Sequence, residues 1–156
     1  MYHPELPAHQ KEIMMTVGYV PGGFDLFHIG HLNILKEARQ RCDVLVAGVA
    51  TDESLLEMKG RLPVVPFQER LEIVGSLDLV DRAVADTARD KRIAWQANHF
   101  DVLFKGDDWQ GTVKGLLLEQ EMAEVGARVV YFPYTQRTSS STLRRFIDGQ
   151  LAAQGA

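Results

Sequence analysis

The sequence holds a single cysteine, Cys42, so it can form no intramolecular disulfide and no four-cysteine zinc site. That cysteine stands between a helical stretch and an apolar one, where a buried structural thiol is expected rather than a nucleophile. No apolar run approaches the roughly 20 residues needed to cross a bilayer. The first residues carry no apolar signal segment, so a cytoplasmic protein with no membrane partner is expected. Basic charge is not in excess: 21 acidic residues face 17 basic ones, a net charge of −4. A general nucleic-acid binder would show a basic face, so nucleic acid is not an expected partner. A net acidic chain can still hold a local basic pocket. There is no internal repeat, no low-complexity tract, and no compelling Ser-His-Asp or paired-carboxylate pattern.

What the chain does have is alternation. Its 156 residues suit one domain, divided as a flexible polar extension over 1–15, a domain over 16–150 and a tail over 151–156. Strand-like segments at 16–20, 44–50, 80–84, 102–105 and 128–132 alternate with helical ones at 31–41, 66–76, 89–98, 116–125 and 141–151. Residues 51–62 read as a polar loop with at most a short helical turn. This order predicts an α/β fold: a single-domain, Rossmann-like, doubly wound parallel sheet with helices on both faces. Ligands in such sheets bind beyond the carboxyl ends of the strands, so functional residues should follow strands.

The first strand runs into Gly22-Gly23-Phe24-Asp25-Leu26-Phe27-His28-Ile29-Gly30-His31, and a helix follows. Gly22 and Gly23 allow close backbone approach and unusual dihedrals. A helix start offers unpaired N–H groups and a positive dipole end, which suits phosphate. His28 and His31 are three apart, so both imidazoles can project to one side, and Gly30 between them leaves room for a ligand. Two such donors can stabilise a phosphate that gains charge in a transition state. A zinc site would need a third ligand that nothing nearby supplies. Asp25 is a candidate Mg²⁺ ligand or helix cap. Near the end of the chain, Arg137 can grip a phosphate with two bonds. The hydroxyls of Thr138, Ser139, Ser140, Ser141 and Thr142 lie at a helix start, a second phosphate cradle.

The segment resembles the signature of the cytidylyltransferase family of the HIGH-type nucleotidyltransferases, with His28-Ile29-Gly30-His31 as its HxGH element. The similarity takes in Arg41-Cys42-Asp43, Thr51-Asp52-Glu53, Lys59-Gly60-Arg61, Glu69-Arg70, Val80-Asp81, Lys105-Gly106-Asp107-Asp108-Trp109 and Arg137-Thr138. The Gly-Asp-Asp-Trp string and the short length are most similar to the glycerol-3-phosphate cytidylyltransferases. The resemblance implies that His28 and His31 contact a triphosphate and stabilise the transition state. It implies that Lys59 is a phosphate ligand, with Arg61 as the neighbouring alternative. Gly22, Gly23, Phe24, Asp25 and Gly30 would lie against the nucleotide, and Gly106, Asp107, Asp108 and Trp109 near its base and sugar. Arg70, Lys91 and Arg92 are candidates for the substrate phosphate. The chain departs from the family pattern at Gly23, where Thr or Cys is usual. It also departs at Asp78, where relatives often carry a basic residue, and after Thr138, where no Gly-Ile follows.

The implied reaction is CTP plus an alcohol phosphate, glycerol 3-phosphate first, giving a CDP-alcohol and pyrophosphate. Mg²⁺ is the implied cofactor, a homodimer the implied assembly and cell-wall polyol phosphate polymer synthesis the implied setting. A sister enzyme using another polyol phosphate, ethanolamine or choline phosphate, or ATP with a sugar phosphate, would share these motifs. So would a nucleotide-binding module without turnover.

Overall fold

The computed structural model describes residues 15–134 and 138–155. Five strands form one parallel sheet: β1 (Val17–Gly22), β2 (Val44–Ala50), β3 (Arg82–Asp86), β4 (Val102–Gly106) and β5 (Arg128–Phe132), in the order β3-β2-β1-β4-β5. The connecting helices are α1 (Ile29–Arg39), α2 (Asp52–Lys59), α3 (Phe67–Gly75), α4 (Lys91–Asn98) and α5 (Val113–Glu124), and α6 (Ser140–Gly155) follows β5. A 3₁₀ turn, Asp107–Trp109, follows β4.

Alternation along the strands explains the two cores. Val20, Leu45, Val102 and Phe104 face one side with Leu35, Ala38 and Val74 from α1 and α3. Tyr19, Val46 and Leu103 face the other with Leu118 and Met122 from α5. Side chains one apart on a strand point to opposite faces, so both faces need cover, and both have it. The expected architecture is the observed one.

Local differences have local causes. Residues 52–59 form a true helix: Thr51 Oγ1 accepts from the Ser54 N–H at 3.2 Å, and Gly60 closes it at φ 71°. Helix α6 continues to Gly155, past the expected end at Leu151. Strand β3 starts at Arg82 because Asp81 is held earlier, its carboxylate accepting from Leu45 N–H and Arg39.

The sheet itself opens the site. Strand β1 pairs with β2 as far as Gly22, but its pairing with β4 is confined to Gly18 and Tyr19. Beyond Tyr19 the two central strands separate. Sequence-adjacent strands lie on one side of this point and later strands on the other, which is the switch point of such sheets.

Candidate active site

The loop from β1 into α1 builds the first wall. Its unusual dihedrals fall on Phe24 and Leu26, both at φ 53°, and not on Gly22 or Gly23 as the sequence suggested. His28 caps α1: its Nδ1 accepts from the Gly30 N–H at 3.0 Å, while His31 Nδ1 accepts from the His28 N–H at 3.2 Å. An Nδ1 that accepts carries no proton, so each neutral ring holds its hydrogen on Nε2. The rings stack with centroids 3.9 Å apart. Burial lowers both pKa values. For His31 burial, then His28 and Lys59, outweigh Asp25 and bring it to about 3. At neutral pH the pair therefore acts as two neutral Nε2–H donors, not as cations.

Asp25 is not the cap of α1. It is 4% exposed, and its carboxylate accepts from Val64 and Val65 N–H, each at 2.8 Å, with Arg144 Nη1 at 3.4 Å. Both oxygens face donors, and the cap of α1 is His28. Among the described residues no group of three or more His, Cys, Asp or Glu could hold a metal ion. The carboxylate expected to hold Mg²⁺ thus has both oxygens turned to the protein's own donors.

The three candidate substrate-phosphate residues are also committed elsewhere. Arg70, 1% exposed, donates to Val65 O (2.8 Å), Gly23 O (2.6 Å), Ala50 O (2.7 Å) and Asp52 (2.7 Å). It ties the ends of β1 and β2 to α2 and has no donor pair left for a ligand. Lys91 is bound to Asp86 (2.6 Å) and Ala88 O (2.7 Å). Arg92 pairs with Asp90 and Glu124 on the surface. Asp78 lies in an exposed turn before β3, at the amino ends of the strands, so its departure from the family pattern falls away from the cleft.

Between the splayed strands lies a cavity of about 320 Å³. Gly22, Gly23, Phe24, His28, Gly30 and His31 form its first wall, and Lys59 of α2 reaches it. Gly106, Asp108 and Trp109 line the β4 side, and Ser139, Ser140 and Ser141 the start of α6. A recess of about 50 Å³ between Leu55, Arg61 and Pro63 shares Gly23, His31, Lys59 and Ser140 with it. A Cβ at Gly23 would meet Leu55 at 3.4 Å, ordinary contact, so the missing family side chain is not forced by packing.

The other expected residues divide by position. Asp107 is a turn anchor, accepting from the Tyr134 N–H at 3.0 Å. Ser139 caps α6, its Oγ accepting from Thr142 N–H, while Thr138 and Thr142 stay out of the cavity wall. Ser140 Oγ donates to Asp25 O at 2.6 Å and lies 3.3 Å from His28 Nε2. Arg137 lies outside the described residues.

Two cationic residues to which the sequence assigned no role, Arg144 and Lys105, also line the cavity. Arg144 is 8% exposed, and its Nε has no hydrogen-bond partner among the described residues. Its only sequence signal is its place one helical turn after Ser140 and Ser141. Lys105 ends β4 with Nζ 3.9 Å from the Trp109 ring centre. Burial lowers its pKa to about 8. Burial, then Arg144, likewise lowers that of Lys59, with Asp25 opposing.

Comparison with known proteins agrees with this geometry. Residues 19–146 match the family described as Cytidylyltransferase-like. A protein named FAD synthase from Thermococcus sibiricus is 31% identical over 140 residues, covering 88% of this chain and 92% of that one. The bifunctional protein HldE of Koribacter versatilis is 34% identical over 140 residues, but the chain spans only 28% of its length. Among solved structures, a lipopolysaccharide core biosynthesis protein from Thermoplasma volcanium superposes with a TM-score of 0.66 at 25% identity, covering 80% of this chain and 99% of that one. Pantoate-beta-alanine ligase from Francisella tularensis, at 15% identity and a TM-score of 0.62, shares the fold.

Proposed function

The chain belongs to the cytidylyltransferase-like family, and from that premise we propose that it transfers a nucleoside monophosphate unit from a nucleoside triphosphate to a phosphate monoester. The observation that carries this reading is the pair of Nε2–H donors facing one cavity with Ser140, Lys59 and Arg144.

The acceptor supplies its own nucleophile. A phosphate monoester has a second pKa near ~6 and is mostly dianionic at neutral pH, so no general base is required. One of its oxygens attacks the α-phosphorus, a new P–O bond forms, and the bond to the bridging oxygen breaks. Pyrophosphate leaves with that electron pair. The protein's part is positioning and charge stabilisation. His28 and His31 donate to triphosphate oxygens, Arg144 adds positive charge beside them, and Lys59 offsets charge where the two substrates meet. Magnesium belongs to the substrate as a metal–nucleotide complex.

The sequence resemblance supports CTP and glycerol 3-phosphate. The FAD synthase relative, matched over nearly all of its length, supports ATP and a larger phosphate ester such as a flavin phosphate. The test is pyrophosphate release from CTP and from ATP, each against glycerol 3-phosphate, flavin mononucleotide and sugar phosphates. Release with one pair identifies the substrates. His28→Ala and His31→Ala should each lower that rate on the order of 10²–10³-fold with folding retained. Nucleotide binding without release from any pair would leave a non-catalytic module, and an unimpaired His31→Ala would remove the histidines from the reaction.

A further inference from the structure

Lys105 is a cation with no ion-pair partner among the described residues. Among the described residues its Nζ forms no hydrogen bond and no ion pair, and its recorded contact is the Trp109 ring at 3.9 Å. Its charged surroundings are Asp108, Lys91, Lys59 and Asp86. Asp86 is already satisfied, by Lys91 at 2.6 Å and Tyr19 Oη at 2.7 Å. With Asp86 and Lys91 offsetting each other, Asp108 is left to face two ammonium groups, Lys59 and Lys105. Like charges gathered in a partly desolvated wall disfavour one another, and an incoming anion would relieve them. Because Lys105 lines the cavity, that anion can reach it.

Position separates this anion from the triphosphate. The histidines stand on the β1–α1 wall of the cavity and Lys105 near the end of β4, on the strands that separate beyond Tyr19. Lys59 lines the same cavity as both groups of donors: the histidines with Ser140 and Arg144, and Lys105 on β4. In phosphoryl transfer the attacking and leaving oxygens lie roughly in line through phosphorus. If the histidine side holds the leaving pyrophosphate, the attacking phosphate must enter from the opposite side.

We propose that Lys105, together with Lys59, binds the phosphate of the acceptor on the β4 side of the cavity. This assignment rests on the nucleotidyl-transfer reading and names the residue that receives its second substrate. The acceptor class is a phosphate dianion, and the rest of the acceptor extends from the β4 wall beside Trp109.

The test uses inorganic phosphate as the acceptor mimic, so that it does not depend on turnover. Calorimetric titrations of phosphate and, separately, of CTP and ATP are run on the whole protein and on Lys105→Met and Lys105→Arg. Lys105→Met should weaken phosphate binding on the order of 10- to 100-fold, the worth of a hydrogen bond to a charged group. Nucleotide affinity should be unchanged, and Lys105→Arg should restore phosphate binding. With the pair identified by pyrophosphate release, the acceptor KM should rise and the nucleotide KM should not. An equal loss of nucleotide affinity would make Lys105 a triphosphate ligand. Unchanged phosphate binding, or none in the parent protein, would leave Lys105 as a prop for Trp109. Each of these overturns the assignment. A protein that releases no pyrophosphate from any pair, yet shows the phosphate loss, would instead overturn the transfer reading and keep the anion site.

Discussion

His31 shows how one residue's surroundings set its chemistry. Unfolded, it takes up a proton near its ordinary pKa of 6.5; folded, it resists until about 3. Between those values the unfolded chain binds more protons, so stability rises with pH across the window and falls on acidification. Urea denaturation at pH 6.5 and pH 5 should show a larger loss in the parent protein than in His31→Gln. Equal losses would mean that His31 is protonated in the folded state. The two histidines were legible because their motif is local and its spacing alone places both rings at a helix entry. Asp25, Arg70 and Arg144 were not, because what they touch is set by chain 18 to 119 residues away. A carboxylate and a guanidinium in a phosphate-binding pattern look like ligands. Only packing shows that Asp25 and Arg70 spend their bonding capacity on the protein, while Arg144, held by Asp25 and Ser141, leaves its Nε without a partner among the described residues.

Elements place these side chains, and one glycine holds two of them together. A Cβ on Gly115, in the first turn of α5, would lie 2.0 Å from the Trp109 carbonyl oxygen. Backbone cannot yield as a side-chain end can, so Gly115→Ala should cost about 1–3 kcal/mol and displace the Trp109 turn. Urea denaturation would show the loss, and tryptophan emission the movement. Parent-like values for both would mean that α5 shifts freely relative to the turn. Strand and helix types were readable from period and from apolar runs. The α2 helix was under-read because its apolar side is narrow: Leu55 is 4% exposed, while Leu56 and Met58 remain open at 47% and 39%. Its signals were the caps, Thr51 and Gly60, rather than a stripe.

At the scale of the whole molecule, strand order decides where everything meets. Sequence alternation implies a parallel sheet, but the order β3-β2-β1-β4-β5 depends on which strands find one another over long separations. That order brings the loop after β1 opposite the turn after β4 and leaves β1 and β4 unpaired beyond Tyr19. Cationic and donor groups from both halves then face one cavity in a chain of net charge −4. Such a fold should be held together by the ligand it is built to receive. A nucleoside triphosphate at ~100 times its dissociation constant adds about 2.7 kcal/mol, which for a domain of this size raises Tm by roughly 5–10 °C. Thermal unfolding with CTP or ATP should show that rise, while cytidine or adenosine at the same concentration should give little, because most of the cavity's free donors address phosphate. A nucleoside that stabilised as well as its triphosphate would mean the cavity reads the base, and the phosphate-centred account of the cleft would fail.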